Sequence, residues 1–324
     1  MASLRKKRQH YVPQLHLRRF VGDSPRGMIW THDMDSGVSR PSRPSETGFS
    51  SNFYSVRDQS GKWRDDIDDW LTEIEQEASA GYDHLAAGVV PQGDDKERFA
   101  AFVATLYLRS PSLIRAAAAG YGQFVQLKIN TEWRTRDRFE KQLDRYDRDN
   151  RSRTENREGI WRFHSDKSRH KVEVNQSRGL SILRAAPQIT RILSKREWKL
   201  VRPQSGYFIS SDCPVHRFVP DDKMIWPYCD GGFANSASEI TLPISPSIML
   251  LICGIKTPED DIWLPSQNVQ ILNEMRASGA DRFLYSHKKS DLFVDLAKRF
   301  REAGFSFHID GGGPYAEVVV KRRP

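Results

Sequence analysis

The sequence lacks the features of a membrane protein and of a disulfide-stabilised secreted protein. Its longest apolar run, SIMLLICGI at 247–255, is far shorter than the roughly 18–20 residues that cross a bilayer. The basic N-terminus, MASLRKKRQH, is not followed by an apolar segment, so we expect no secretory signal. The 3 cysteines form no CxxC pair, which argues against a disulfide framework and a zinc ribbon. We therefore expect a cytoplasmic protein without membrane contact.

The common catalytic and cofactor signatures are missing as well. The chain has no HExxH segment and no Gly-rich phosphate loop, so no nucleotide cofactor motif is present. Neither serine of FISSDCPV at 208–215 is flanked by glycines, as a nucleophile elbow requires. The cofactor is therefore unknown, and a divalent metal stays open as an alternative.

The composition is that of a globular, basic protein. The 324 residues include 8 Trp and 16 Phe, an aromatic content that disordered chains usually lack. A net charge of +8 and a pI near 9.4 favour a nucleic-acid partner. Much of the excess lies in RKKR at 5–8 and KRR at 321–323, so the charge raises this expectation only modestly. Nothing in the composition indicates a protein partner.

Apolar spacing divides the chain into three regions of one predicted domain, 1–324. Residues 1–60 hold an N-terminal motif and short strands, with a hairpin formed by MIWTHD and GVSRPS. Residues 61–195 follow the helical period, and residues 196–324 alternate strands with two helices. We expect an α+β fold in which the helical middle region packs with the mixed, β-rich C-terminal part.

One long helix is predicted within the helical region. The stretch from 112 to 148 keeps the helical period throughout. Gly120 and Gly122 lie inside it, and glycine weakens a helix interior. We therefore expect this helix to be weakened around these two glycines.

The segment RQHYVPQLHLRRF at 8–20 combines polar groups with a helical apolar spacing. Pro13 is a start signal for a short helix, on which Gln14 and Arg18 share one face. In one interpretation His10 belongs to a site, as a general base, metal ligand or phosphate contact that Gln14 orients. In the other, His10 caps the helix and Arg18 pairs with a surface acid. Residue type alone favours the second interpretation.

Two further positions carry candidate groups. Glu75 lies among apolar positions of the predicted helix DIDDWLTEIEQEASAGYDHLAAG. An inward-facing glutamate needs a partner, and Arg109 on the next predicted helix is a candidate. Ser211 and Asp212 end a predicted strand before a proline, where they can donate a hydrogen bond, bind a metal or simply form a turn.

The pattern of motifs resembles the family named domain of unknown function 4238, which is frequent in bacteria. HYVPQLHLRRF resembles the start of that family, in which a His-Tyr-Val-Pro-Gln segment precedes a Leu-Arg-x-Phe pair. The likeness continues in NFYSV at 52–56, EIEQEAS at 73–79, LYLRSP at 106–111, FISSDCPV at 208–215 and LPISP at 242–246. One departure is Cys213, where the family pattern usually has asparagine, which weakens any role for an amide beside Asp212.

The resemblance implies a set of shared polar positions but no particular activity. A core needs apolar residues, so polar residues that recur in scattered segments favour a site over packing. On this basis the predicted catalytic residues are His10, Gln14, Glu75 and Asp212. The predicted substrate-binding residues are Arg18, Asn52, Arg109 and Ser211, and Glu75 and Asp212 are the candidates for a metal.

Three functions are compatible with these residues. The first is a nucleic-acid-directed hydrolase, with or without a metal, in which the arginines contact phosphates; a role in bacterial defence is compatible with it. The second is a non-catalytic binding or regulatory module for an anionic ligand or partner. The third is a structural polar network that only specifies the fold. The sequence favours the hydrolase weakly.

Overall fold

The structure is a computed structural model that describes residues 8–22, 26–58, 60–165, 174–219, 223, 232–254, 261–300, 305–310 and 317–322. Cys229 and most of the two basic ends therefore lie outside the described residues. Cys213 and Cys253 are not in disulfide bonds. Within the described residues, no helix is both long and apolar enough to cross a membrane.

The N-terminal region consists of short strands around one short helix. Strand β1 leads through Pro13 into helix α1, which continues as a 3-10 turn over Arg18–Phe20. The predicted hairpin is confirmed, because β2 and β3 pair in antiparallel register. The elements are β1 (Arg8–His10), α1 (Gln14–Leu17), β2 (Ile29–Asp33), β3 (Ser39–Ser42), β4 (Phe49–Ser51), β5 (Val56–Arg57) and β6 (Trp63–Arg64).

The middle region is helical, and the long helix that we predicted is divided in two. The long helix predicted over 112–148 ends at Glu132 and resumes at Arg136. Gly120 and Gly122 lie inside the first part, where the helix continues without a break. Thr135 caps the next helix, because its side chain accepts the N–H of Arg138. The helices are α2 (Asp66–Glu77), α3 (Ser79–Ala86), α4 (Gly93–Leu108), α5 (Pro111–Glu132), α6 (Arg136–Asp149), α7 (Arg157–Ser165) and α8 (Ala186–Ser194), with a 3-10 segment over Gln176–Ala185.

The C-terminal region is mixed, as predicted, and forms two larger sheets. The elements of this region are β7 (Glu197–Pro203), β8 (Ser210–Ser211), β9 (His216–Phe218), β10 (Glu239–Ser245), β11 (Ile248–Cys253), β12 (Asp261–Leu264), α9 (Ser266–Ser278), β13 (Phe283–Ser286), α10 (Asp291–Phe300), β14 (Phe305–Asp310) and β15 (Glu317–Arg322). One sheet has the strand order β12-β7-β11-β10-β9 and the other β3-β2-β13-β8, so the second sheet includes the N-terminal hairpin.

The helices pack on the five-stranded sheet through one large apolar cluster. Leu71 of α2, Leu85 of α3 and Phe99 of α4 belong to the same cluster as Leu200 of β7 and Leu250 of β11. Burial of each such side chain contributes about 1.5–3 kcal/mol. Because the helical and β-rich parts share this cluster, the predicted α+β fold is confirmed.

The N-terminal motif is held at the second sheet. Val12, Leu17 and Phe20 pack with Tyr285 of β13, and the Val12 N–H donates to the Gly48 carbonyl oxygen at 3.0 Å. Gly48 has a φ of +66°, and a Cβ there would lie 3.1 Å from the Val12 side chain, so a side chain at this turn would be both strained and crowded. These contacts fix α1 and the segment before it against the second sheet.

Candidate functional site

Four of the predicted site residues come together at a small polar cavity of about 200 Å³. His10 ends β1, Gln14 begins α1, Glu75 lies on α2, and Arg109 follows the last residue of α4. Arg8, Asp68, Leu71 and Thr72 complete the lining. The N-terminal motif and two helices of the middle region therefore build one site. We call it the β1–α2 cavity.

Arg109 is the most deeply buried charged group of the β1–α2 cavity. Its side chain is 1% exposed, and its Nη1 donates to Glu75 Oε1 at 2.7 Å. The predicted pairing of Glu75 with Arg109 is thus confirmed. Nε and Nη2 of Arg109 are also buried, and they form no hydrogen bond with the described residues. The neighbouring Tyr54 hydroxyl donates to the His10 carbonyl oxygen at 3.3 Å, and its oxygen also faces the Arg109 guanidinium. The wall of the cavity thus includes a buried guanidinium whose hydrogen-bonding capacity the protein does not fully use.

His10 offers the cavity a hydrogen-bond acceptor. Its Nε2 is buried and has no hydrogen-bond partner among the described residues, while the ring bonds the Pro44 backbone. In the tautomer that this contact favours, Nδ1 carries the proton and faces the Pro44 carbonyl oxygen, which only accepts. Burial first, and then the nearby Arg109 and Arg8 cations, lower the pKa of His10 below its usual 6.5. His10 is therefore neutral at pH 7, with a free lone pair on Nε2.

Gln14 and Arg18 lie at the outer side of the same cavity. The exposed Arg18 donates from Nη2 to Gln14 Oε1 at 3.4 Å, a long hydrogen bond between the first and fifth residues of one helical stretch. Arg19, rather than Arg18, forms an ion pair with a surface acid, Asp83, at 2.6 Å. Arg18 is therefore free to act at the rim, although it does not line the cavity.

Asp212 and Ser211 are not among the residues that line the β1–α2 cavity. The buried Asp212 carboxylate accepts the backbone N–H groups of Asp281, Arg282 and Phe283 at 2.7–2.8 Å. Burial and the nearby Asp281 raise the pKa of Asp212 to about 7, and these N–H donors oppose the shift. Ser211 Oγ accepts the Cys213 N–H at 3.2 Å. Ser211 thus holds the turn that follows β8, and Asp212 ties this turn to the segment that leads into β13.

Asn52, the remaining predicted substrate-binding residue, lies in the turn between β4 and β5. Its φ is 54°, a conformation that asparagine adopts more readily than most side chains do. Its carbonyl oxygen accepts the Ser55 N–H at 3.3 Å. Asn52 does not line the cavity. The same turn includes Tyr54, whose hydroxyl donates to the His10 carbonyl oxygen.

Two buried polar residues of the N-terminal motif were not predicted. Gln9 alternates with His10 along β1 and points the other way, where its amide donates to Ser55 and Asp65 and accepts the Tyr54 N–H at 2.6 Å. His16 is fully buried, with hydrogen bonds of 2.6 Å to Tyr82 and to Ser210. Burial lowers the pKa of His16 to about 3. The alternation of side chains along a strand could have indicated that Gln9 faces away from His10. No local signal existed for His16, because its partners lie 66 and 194 residues away along the chain.

The two carboxylates that were predicted as metal candidates are engaged by nitrogen donors. Glu75 accepts from Arg109, and Asp212 accepts three backbone N–H groups. In the part of the chain that the structure describes, no three His, Cys, Asp or Glu side chains are grouped so that they could hold a metal ion. Glu75 and Asp212, the predicted metal candidates, thus do not come together with a third ligand there.

Comparison with known proteins gives a family but no described activity. No curated protein and no solved structure matches the chain. The model of the family described as protein of unknown function DUF4238 matches residues 8–290. This match covers most of the chain, including the β1–α2 cavity and the Asp212 turn. The chain therefore belongs to the DUF4238 family, as the motifs of its sequence indicated.

Proposed function

We propose that the β1–α2 cavity binds a phosphate group of a nucleic acid and that the protein is a hydrolase acting on it. One observation carries this proposal. The buried Arg109 guanidinium keeps two nitrogens without a protein partner at the cavity, and arginine suits the geometry of phosphate oxygens. Ion pairing with Glu75 holds the guanidinium in place while leaving these donors for a ligand.

His10 is the proton-transfer group of the proposed reaction. A neutral imidazole with a free Nε2 can remove a proton from an attacking hydroxyl or water, and proton transfer of this kind typically contributes about 10²–10⁴-fold to a rate. The Pro44 bond fixes the ring and its tautomer. Arg8, which is exposed at the mouth of the cavity, and Arg18 at its rim supply further positive charge for the phosphate backbone.

A second candidate is a non-catalytic binding module for an anionic ligand or partner. The Arg109–Glu75 pair favours it, because a buried guanidinium held in place by a carboxylate can recognise an anion without any proton transfer. In this case Arg109 and Arg8 recognise the anion, and His10 only accepts a hydrogen bond. A cytoplasmic location and a role in bacterial defence are compatible with both candidates.

A cleavage assay separates these functions. The wild type would be incubated with labelled RNA, tRNA and DNA in Mg²⁺, Mn²⁺ or EDTA, alongside His10→Asn and Arg109→Lys. Matched controls are His84→Asn and Arg98→Lys, since both control side chains are 48% exposed and neither lines the cavity. We expect cleavage by the wild type and by both controls, and losses of about 10²–10⁴-fold for His10→Asn.

The other outcomes of the assay distinguish the binding module from a structural network. If the wild type binds labelled nucleic acid without cleaving it, and only Arg109→Lys weakens this binding, the protein is a binding module rather than a hydrolase. If folded wild type neither binds nor cleaves, and the two cavity variants merely lower the melting temperature, the cavity is a structural network. Circular dichroism of every variant establishes that the comparison is made between folded proteins.

A further inference from the structure

We infer that the nucleic acid bound in the β1–α2 cavity is RNA, with His10 facing the ribose 2′-hydroxyl and Arg109 facing the adjacent phosphate. This inference rests on the proposed function and names its substrate class. It stands on the combination of groups that the cavity leaves without partners: two donor nitrogens of Arg109 and one acceptor nitrogen of His10. A phosphodiester anion uses donors only. A hydroxyl beside a phosphate uses both kinds of group.

The size of the cavity agrees with recognition of a piece of polymer backbone. At about 200 Å³ it is smaller than the roughly 300–1,000 Å³ of ordinary small-molecule sites. A phosphate and its neighbouring sugar hydroxyl are small enough to enter while the base stays outside. The 2′-hydroxyl is the group by which a protein distinguishes RNA from DNA, so an acceptor placed beside phosphate donors discriminates between them.

The surrounding elements hold both groups in place. On the side of β1, the exposed Arg8 lies at the mouth, and Phe49 packs on the His10 ring with a centroid distance of 5.5 Å. From α2, the Glu75 carboxylate orients Arg109 at 2.7 Å, and Asp68 lies in the same wall. Because His10 ends a strand and Arg109 ends a helix, the two groups approach the cavity from rigid elements.

The chemistry that this arrangement permits is internal transesterification. His10 Nε2 takes the proton of the 2′-hydroxyl as O2′ forms a bond to phosphorus. The P–O5′ bond breaks, O5′ leaves with the electron pair and takes a proton from water, and Arg109 donates to the phosphate oxygens whose charge grows. The products are a 2′,3′-cyclic phosphate and a 5′-hydroxyl, and His10 returns its proton to water. DNA has no hydroxyl for the first step.

The test compares three oligonucleotides of one sequence: RNA, DNA and RNA with 2′-O-methyl groups. Each is incubated in EDTA with the wild type, His10→Asn and the control His84→Asn, and the ends are identified by mass spectrometry. We expect cleavage of RNA alone, with 2′,3′-cyclic phosphate ends, and a loss of about 10²–10⁴-fold in His10→Asn. The 2′-O-methyl RNA should still bind to His10→Asn and should bind more weakly to Arg109→Lys.

Failure of this inference is distinguishable from failure of the proposed function. Equal cleavage of DNA, or RNA products with 3′-hydroxyl and 5′-phosphate ends, would overturn the inference and leave a hydrolase in place. Absence of cleavage and binding for all three oligonucleotides by folded wild type would overturn both. Equal losses in His10→Asn and His84→Asn would show that neither histidine transfers the proton.

Discussion

Substitution of Glu75 by glutamine should lower stability and raise anion affinity at the same time. The carboxylate is 25% exposed and accepts from a guanidinium that is 1% exposed, with a Nη1–Oε1 distance of 2.7 Å. A hydrogen bond to a charged group contributes about 1.5–3 kcal/mol, and removal of one partner from a fully buried pair costs roughly 3–5 kcal/mol. Since Glu75 retains some contact with solvent, we expect Glu75→Gln to lower the free energy of unfolding by about 2–3 kcal/mol.

The same substitution removes a negative charge from beside the proposed phosphate. A like charge about 4 Å away costs roughly 1 kcal/mol in water and roughly 4 kcal/mol at an effective dielectric constant of about 20. Affinity for inorganic phosphate or for 2′-O-methyl RNA should therefore rise at least about fivefold in Glu75→Gln. If Glu75 stabilises the fold and lowers the affinity for the anion, its role is to position Arg109 and not to contact the anion.

Urea denaturation and isothermal titration calorimetry measure these two effects separately. Asp137→Asn is the control, because its ion pair with Lys141 is exposed on both sides and such pairs contribute little. A double-mutant cycle with Arg109→Met should give a coupling of about 1.5–3 kcal/mol between the partners. Unchanged stability in Glu75→Gln would refute the ion pair as described, and a fall in anion affinity would show that the carboxylate itself contacts the ligand.

Three further predictions concern the polar residues that support the site. Asp212→Asn should lower the free energy of unfolding at pH 8 by about 1.5–3 kcal/mol, because one amide oxygen replaces a carboxylate that accepts three N–H groups; an unchanged urea midpoint would contradict this. Gln9→Leu should cost a similar amount, about 1–3 kcal/mol, because it leaves the Tyr54 N–H without its acceptor; a melting curve like that of the wild type would exclude this role. Burial lowers the pKa of His16 to about 3, so below about pH 6.5 the unfolded chain binds a proton on this imidazole that the folded chain does not bind. The free energy of unfolding should therefore fall by up to about 1.4 kcal/mol per pH unit between pH 6.5 and pH 3. Urea midpoints of the wild type and of His16→Gln, measured between pH 7 and pH 5, test this slope.

The parts of the fold that follow from local rules were predictable. The hairpin of β2 and β3, the helix start after Pro13 and the strands β7, β11 and β13 have signals that lie within a few residues of each element. The break after α5 was not predictable from glycine content. Ala-rich sequence around Gly120 keeps that helix intact, and the interruption comes where Thr135 caps the next helix.

The part of the candidate site that could be predicted is the pair in which one buried charged residue needs an oppositely charged partner. A glutamate on an apolar helix face needs a cation, and Arg109 was the candidate on the next helix. The function of Asp212 could not be read in this way, because its three donors are backbone groups of a segment about 70 residues further along the chain. A strand end with Ser-Ser-Asp has the same sequence whether its carboxylate meets a substrate or a backbone turn.

The N-terminal motif performs two tasks with alternate residues, and this affects how loss of activity must be interpreted. His10 and Gln14 line the cavity, whereas Gln9 and His16 are buried and tie the same segment to distant parts of the chain. Variants at all four positions can abolish activity, but only those at the second pair should do so through unfolding. Ligand binding distinguishes the pairs: a phosphate-dependent rise in melting temperature should persist in folded His16→Gln and disappear in Arg109→Lys, because a ligand stabilises only a protein that retains its donors.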